Sequence, residues 1–206
     1  MLKKVKNFKV EMGFGLHQGW AIEGAIGSFF KIDASYLSPN VNMAARLEAA
    51  TKQFETPFLL SGHLRDILSY PMQHICREID TVTVKGSIKP IRLFTITIDY
   101  DDLEPVSDPL LNLPIKEKKS IRDKIRKELF GKLFSGNMTT WDEFSEDQDF
   151  IELRRYVDPD FEKTFHIAYK AYIRGDWHTA GSHLEKLILM RPNDGPTKNL
   201  HRIVVV

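Results

Sequence analysis

"SPNVNMAARLEAATKQF", residues 38–54, is the stretch on which the reading of this chain turns. Ser38 is a good N-cap, and Pro39 suits the first helical position because its missing N–H would be orphaned there anyway. Good helix formers then run to about Gln53, so the spacing predicts one helix with Asn42 and Arg46 four apart on a shared face. The other positions are mostly small or apolar. Taken as a helix alone, the segment leaves two readings open: a local contact for Asn42 with Arg46 on a solvated face, or a polar pair aimed at a ligand.

Upstream, Val10, Met12, Phe14 and Leu16 alternate with Glu11, Gly13, Gly15 and His17, which is the period of a strand. Gly19 is expected to bend it. A turn at Gly27 and Ser28 lets Lys31 to Tyr36 return as an antiparallel strand. Downstream, "PFLLS" (57–61) reads as a short buried strand, and Ser61 as the cap of a second helix near His63 to Tyr70. "EIDTVTVKGSIKPIRLFTITID" (78–99) reads as two strands joined near Gly86 and Ser87. The sum is a mixed α/β unit over 1–100.

"DYDDLEPVSDPLLNLP" (99–114) carries its acids first and its prolines later, and 101–114 is the expected linker. Beyond it the period becomes helical over 115–206. "KEKKSIRDKIRKELFGKLF" (116–134) is basic, with Ile121, Ile125 and Leu129 in a stripe, and "WDEFSEDQDFIELRRYV" (141–157) reads as one more helix. Gly175 and Asp176 separate two further helical patterns, as in an antiparallel helix pair over 159–191.

The chain has 206 residues, 42% of them hydrophobic, enough for a real core. Its formal charge of +1 gives no global attraction for nucleic acid or an acidic membrane, and no nucleic-acid partner is expected. One cysteine, Cys76, excludes an internal disulfide and a cysteine-based zinc cluster. The basic N-terminus has no apolar core behind it and no apolar run reaches membrane-spanning length, so a cytoplasmic location is expected. Asp99, Asp101, Asp102 and Glu104 lack the pattern of a calcium loop and read as solvated charge.

The ordered set "GFGLHQGWAIEGAIGS", "KIDASYLSPNVNMAARLEAATKQF" and "VTVKG" resembles the second half of a class III adenylate or guanylate cyclase catalytic domain, over roughly residues 10–98. The resemblance implies a partial ferredoxin-like α/β domain acting in cyclic-nucleotide signalling on ATP or GTP. Asn42 and Arg46 match the pair that stabilises the transition state as the ribose 3′-oxygen attacks the α-phosphate. Lys85 matches the lysine that contacts the terminal phosphates, and Ser35 falls at the base-selecting position, closer to the adenine-type variant. His17 lies in the family's G-x-H-x-G strand and reads as a packing or interface residue. The helical tail, with a hairpin similar to a tetratricopeptide repeat, resembles the tails of protist-type cyclases.

The same resemblance implies what the chain lacks. The two aspartates that hold the magnesium or manganese ions belong to a first half for which the nine residues before Val10 leave no room, so no metal ligand is assigned. The chain alone is expected to be inactive. As class III sites form between protomers, a homo- or heterodimer with a metal-binding protomer would complete the site; the simpler expectation is that the chain is a fragment of a longer cyclase, soluble or membrane-bound, that carries the missing half. The alternative is an inactive pseudo-cyclase acting as a scaffold or regulatory interaction protein.

Overall fold

The computed structural model describes residues 12–83, 89–99, 110 and 112–205. They form a mixed α/β structure with a helical C-terminal part, in two units. The first comprises residues 12–68, 73–96 and 158–205, the second residues 69–72 and 97–157. The sequence-level division at 100 and 114 cuts across this grouping, because the last three helices share a core with the N-terminal sheet.

In the first unit, β1 (Phe14–Leu16), the hairpin β2 (Ile22–Ser28) and β3 (Lys31–Leu37), helix α1 (Pro39–Phe54) and β4 (Phe58–Ser61) follow in order. Then come α2 (Gly62–Arg65), α3 (Tyr70–Ile75), which crosses the unit boundary, and the pair β5 (Cys76–Val82) and β6 (Ile91–Ile96). The four-stranded sheet runs β1-β4-β6-β5: β1 is parallel to β4, and the other neighbours are antiparallel. The β2–β3 hairpin stands as its own antiparallel ribbon, but the turn expected at Gly27 and Ser28 falls at Phe29 and Phe30, which are exposed at the tip, while Gly27 and Ser28 pair with Ile32 and Lys31 inside the ribbon. The predicted joint at Gly86 and Ser87 lies outside the described residues.

The β1 strand reverses a simple expectation. Phe14 and Leu16, like Met12 just before the strand, are exposed, while Gly15 and the preceding Gly13 face α1. A Cβ on Gly15 would run into the Ala44 carbonyl and the Glu48 backbone nitrogen of α1, so the missing side chain sets how closely helix and strand approach. Because backbone cannot swing aside as a side chain can, Gly15→Ala should cost about 1–3 kcal/mol of overpacking, measured by urea denaturation. A cost within a few tenths would show that α1 shifts freely.

The helices α7 (Pro159–Ile173), α8 (Trp177–Met190) and α9 (Gly195–Val204) complete this unit. Leu47 and Phe54 of α1, Leu59, Ile79 and Leu93 of the sheet, and Phe161, Phe165, Leu184, Leu187 and Leu200 of these helices form one hydrophobic cluster. Their shared burial is the chief stabilising term for the sheet face. On β6, Phe94 lies under the guanidinium groups of Arg65 and Arg92.

The helix expected from His63 to Tyr70 is corrected. Ser61 does cap it, accepting from the Leu64 amide at 3.2 Å, but α2 stops at Arg65. Gln73 Nε2 then donates to the Leu68 carbonyl at 2.8 Å and to that of Asp66 at 3.3 Å, and α3 restarts with Pro71 in its first turn, where proline is tolerated.

In the second unit, α4 (Ile115–Phe134), α5 (Thr140–Glu146) and α6 (Gln148–Arg154) follow one another. The single helix expected over 141–157 is two, because Asp147 adopts an extended backbone and caps α6 by accepting from the Phe150 amide at 2.8 Å. A reciprocal capping box of Thr139 and Asp142 starts α5. None of the described residues forms a helix long and apolar enough to cross a membrane.

Candidate functional site

Ser38 fixes the start of α1 twice over. Its hydroxyl accepts from the Asn40 amide at 2.9 Å and donates to the Trp20 carbonyl at 2.6 Å. Leu47, Thr51 and Phe54 bury the opposite face, so Asn42 and Arg46, four residues apart, are turned outward together. Among the described residues, no hydrogen bond or ion pair engages either side chain; Asn42 uses only its backbone, donating to the Ser38 carbonyl at 3.3 Å. Both groups are presented by a rigid element with nothing in the described protein to satisfy them.

A polar chain missed by sequence reading anchors this end of the helix. Asn40 Nδ2 donates to the Trp20 carbonyl at 2.9 Å, which settles the amide's orientation. Its Oδ1 must therefore accept, from His17 Nε2 at 3.2 Å, so that nitrogen carries the proton. Nδ1 pairs with the Ser61 hydroxyl at 2.7 Å, whose oxygen also receives the Leu64 amide. Both ring nitrogens are occupied. His17 thus ties β1, the α1 start and the α2 start together, which is a structural task and agrees with its reading as a packing residue. The signal available beforehand was only the spacing of two cap residues, Ser38 and Ser61.

The remaining candidates are not brought into contact with this pair. Ser35 is half-buried on β3, opposite Gly24, three residues before the cap. Lys85 lies outside the described residues, as do Asp101, Asp102 and Glu104. Among the described residues, no group of three or more histidine, cysteine, aspartate or glutamate side chains is placed to hold a metal ion. The described residues therefore do not fit the magnesium or manganese pair implied by the resemblance.

Over about two-fifths of its length the chain is similar in sequence to adenylate cyclases. It is 32% identical to an adenylate cyclase of Anabaena cylindrica over 89 residues, 43% of this chain and 18% of that protein. It is 26% identical to the terminal-differentiation specific adenylate cyclase of Dictyostelium discoideum over 88 residues, 42% of this chain and 4% of that one. The matched segment is thus less than a fifth of each of these curated relatives. Among solved structures, a bacterial light-regulated adenylyl cyclase is 32% identical with a TM-score of 0.35, covering 41% of this chain and 23% of that one. The adenylyl cyclase CyaB of P. aeruginosa is 25% identical with a TM-score of 0.33, covering 44% of each chain. No protein-family profile matches the chain.

Proposed function

We propose that this chain supplies the asparagine–arginine half of a class III nucleotide-cyclase site, converting ATP or GTP to a cyclic nucleotide and pyrophosphate. The observation that carries the proposal is the outward pair Asn42 and Arg46, unengaged on a helix whose other face is buried. The similarity to adenylate cyclases gives that pair its chemistry.

In the reaction, the ribose 3′-oxygen bonds to the α-phosphorus, its proton leaves to a base, and the bond from the α-phosphorus to the pyrophosphate oxygen breaks. Negative charge shifts onto the phosphoryl and leaving oxygens as this happens. A planar guanidinium is suited to receive it with two parallel hydrogen bonds, and it stays protonated throughout. The Asn42 amide orients the sugar. Ser35, with a hydroxyl that donates or accepts, contacts the base, and Lys85 the terminal phosphates. Any metal donors would have to come from another protomer or from a segment outside the described residues.

The test is reconstitution. The chain is mixed with a class III cyclase protomer that keeps its two metal-binding aspartates but has its own asparagine and arginine replaced by alanine, and cyclic nucleotide is measured with ATP or GTP and magnesium or manganese. Activity in the mixture, absent from either component, is expected. Formation of the mixed dimer without product would support the inactive scaffold instead.

A further inference from the structure

The second unit carries two surfaces of opposite charge that follow one another in the chain. Helix α4 has eight basic and three acidic side chains, a formal +5 on a chain whose total is +1. Beyond the connection at 135–139, residues 140–153 hold six acidic side chains and no basic one, a formal −6. No residue of α4, α5 or α6 is buried. Apolar groups stand in the open on both surfaces, Ile125 and Phe134 on the basic one, Phe144 and Ile151 on the acidic one.

Some of these charges are already matched. Lys118 and Arg122 have interactions of their own. The charge left over lies on the flank lined by Lys116, Lys119, Lys124 and Lys127, where Asp123 is the one side chain of opposite sign. On the acidic surface Asp142 and Asp147 serve as helix caps, and Glu152 meets Gln148 and Arg155. Glu143, Glu146 and Asp149 remain exposed. Glu143 and Glu146 are three apart on α5, as Lys124 and Lys127 are on α4, so each pair shares a helix face and the two spacings correspond.

Two copies of α4 are a poor match for each other, because closing their apolar groups would set like charges side by side. Within one chain the basic and acidic surfaces leave each other's apolar groups in water. A second copy of the chain offers both signs in nearly equal number, and a two-fold axis makes the contact twice.

We propose that two copies of this chain dock through their second units, α4 of each protomer lying against α5 and α6 of the other. Lys124 and Lys127 face Glu143 and Glu146 of the partner subunit, and the exposed isoleucine and phenylalanine groups close over one another. Apolar burial supplies the affinity and the charges fix which helix meets which. None of the residues assigned to the nucleotide site takes part, so this contact does not rest on the cyclase reading.

The experiment is sedimentation equilibrium of the full chain. A dimer with a dissociation constant of about 10 µM is expected at low salt, weakening about 10-fold as chloride approaches roughly 0.5 M. Lys124→Glu with Lys127→Glu, or Glu143→Lys with Glu146→Lys, should each weaken it by about 20-fold, since like charges then face each other. Mixing the two variants sets opposite charges together at both contacts, and the mixed dimer should return to within about 3-fold of the original affinity. A chain that stays monomeric at about 200 µM overturns the proposal. A dimer indifferent to both double variants does so too, as it would be built on other surfaces. Loss in both variants without recovery in the mixture also overturns it, assigning the charge pairing to a single chain or to another acidic protein. Should a reversed variant lose helical circular dichroism, Lys124→Gln with Lys127→Gln reads the same contact: a loss of about 5-fold supports it and unchanged affinity refutes it.

Discussion

In the reconstituted pair, Arg46→Ala lowers turnover by about 10²–10³-fold while nucleotide affinity changes by only a few-fold. The asymmetry follows from where the charge is. Under the proposed function, the ground-state triphosphate is solvated and would already be contacted by Lys85, so one more cation near the α-phosphate adds little. During displacement, under the same proposed function, charge grows on oxygens that the Arg46 guanidinium would face from a fixed helix, so α1 would not have to reorganise. Leu47 and Thr51 remain buried on the other face, so the alanine leaves the fold intact. Steady-state kinetics with the same protomer pair separates the outcomes: equal losses in turnover and affinity would make Arg46 a ground-state contact, and no loss would remove it from the site.

How much of this was legible beforehand depended on whether the cause was local. Ser38 and Pro39 announce α1 because a cap is satisfied within three residues, and the observed helix begins at Pro39 and ends one residue beyond the expected Gln53. The hairpin β2–β3 and the break between α7 and α8 at Gly175 and Asp176 were legible for the same reason. The division of 141–157 at Asp147 carried a cap signal that helical periodicity overrode. Helix α9 lies in the part read only as helical tail, without bounds of its own, although Asp194 followed by Pro196 and Thr197 is a cap with proline in the first turn.

Non-local facts were not legible. Nothing in the alternation of β1 says that its glycine face rather than its apolar face meets α1, since that choice is made by how near a helix backbone must come. The polar chain from Trp20 through Asn40 and His17 to Ser61 joins residues up to 44 apart, and no period records it. That Asn42 and Arg46 share one exposed helix face was legible, because spacing does encode that relation.

The longest-range tie carries the largest stability prediction. Arg77 of β5 and Asp194, 117 residues later, form a two-pronged ion pair at 2.7 and 3.2 Å, with both side chains 7% exposed. The Arg77 guanidinium also lies over the rings of Phe165 at 4.4 Å and Phe161 at 5.3 Å, while Asp194 caps α9 by accepting from the Thr197 amide and hydroxyl. Beside it, a Cβ on Gly195 would strike the Phe54 and Glu55 carbonyls, so α9 is held against the end of α1 with little slack. Asp194→Asn leaves the guanidinium buried without its counter-charge and should cost about 3–5 kcal/mol, seen as a lower urea midpoint. Burial works against ionising Asp194, but Arg77 and the Thr197 hydrogen bonds together outweigh it, and the carboxyl titrates below its ordinary value. The stabilisation from this depressed value is therefore complete above the unfolded-state value near about 4 and declines as pH falls through the lower folded-state one. Asp194→Asn should flatten that acid limb of the stability curve as well as lowering the plateau. A lowered plateau with the acid limb unchanged would assign the loss to packing and capping, and would separate the cap of α9 from the charge that holds it to the sheet.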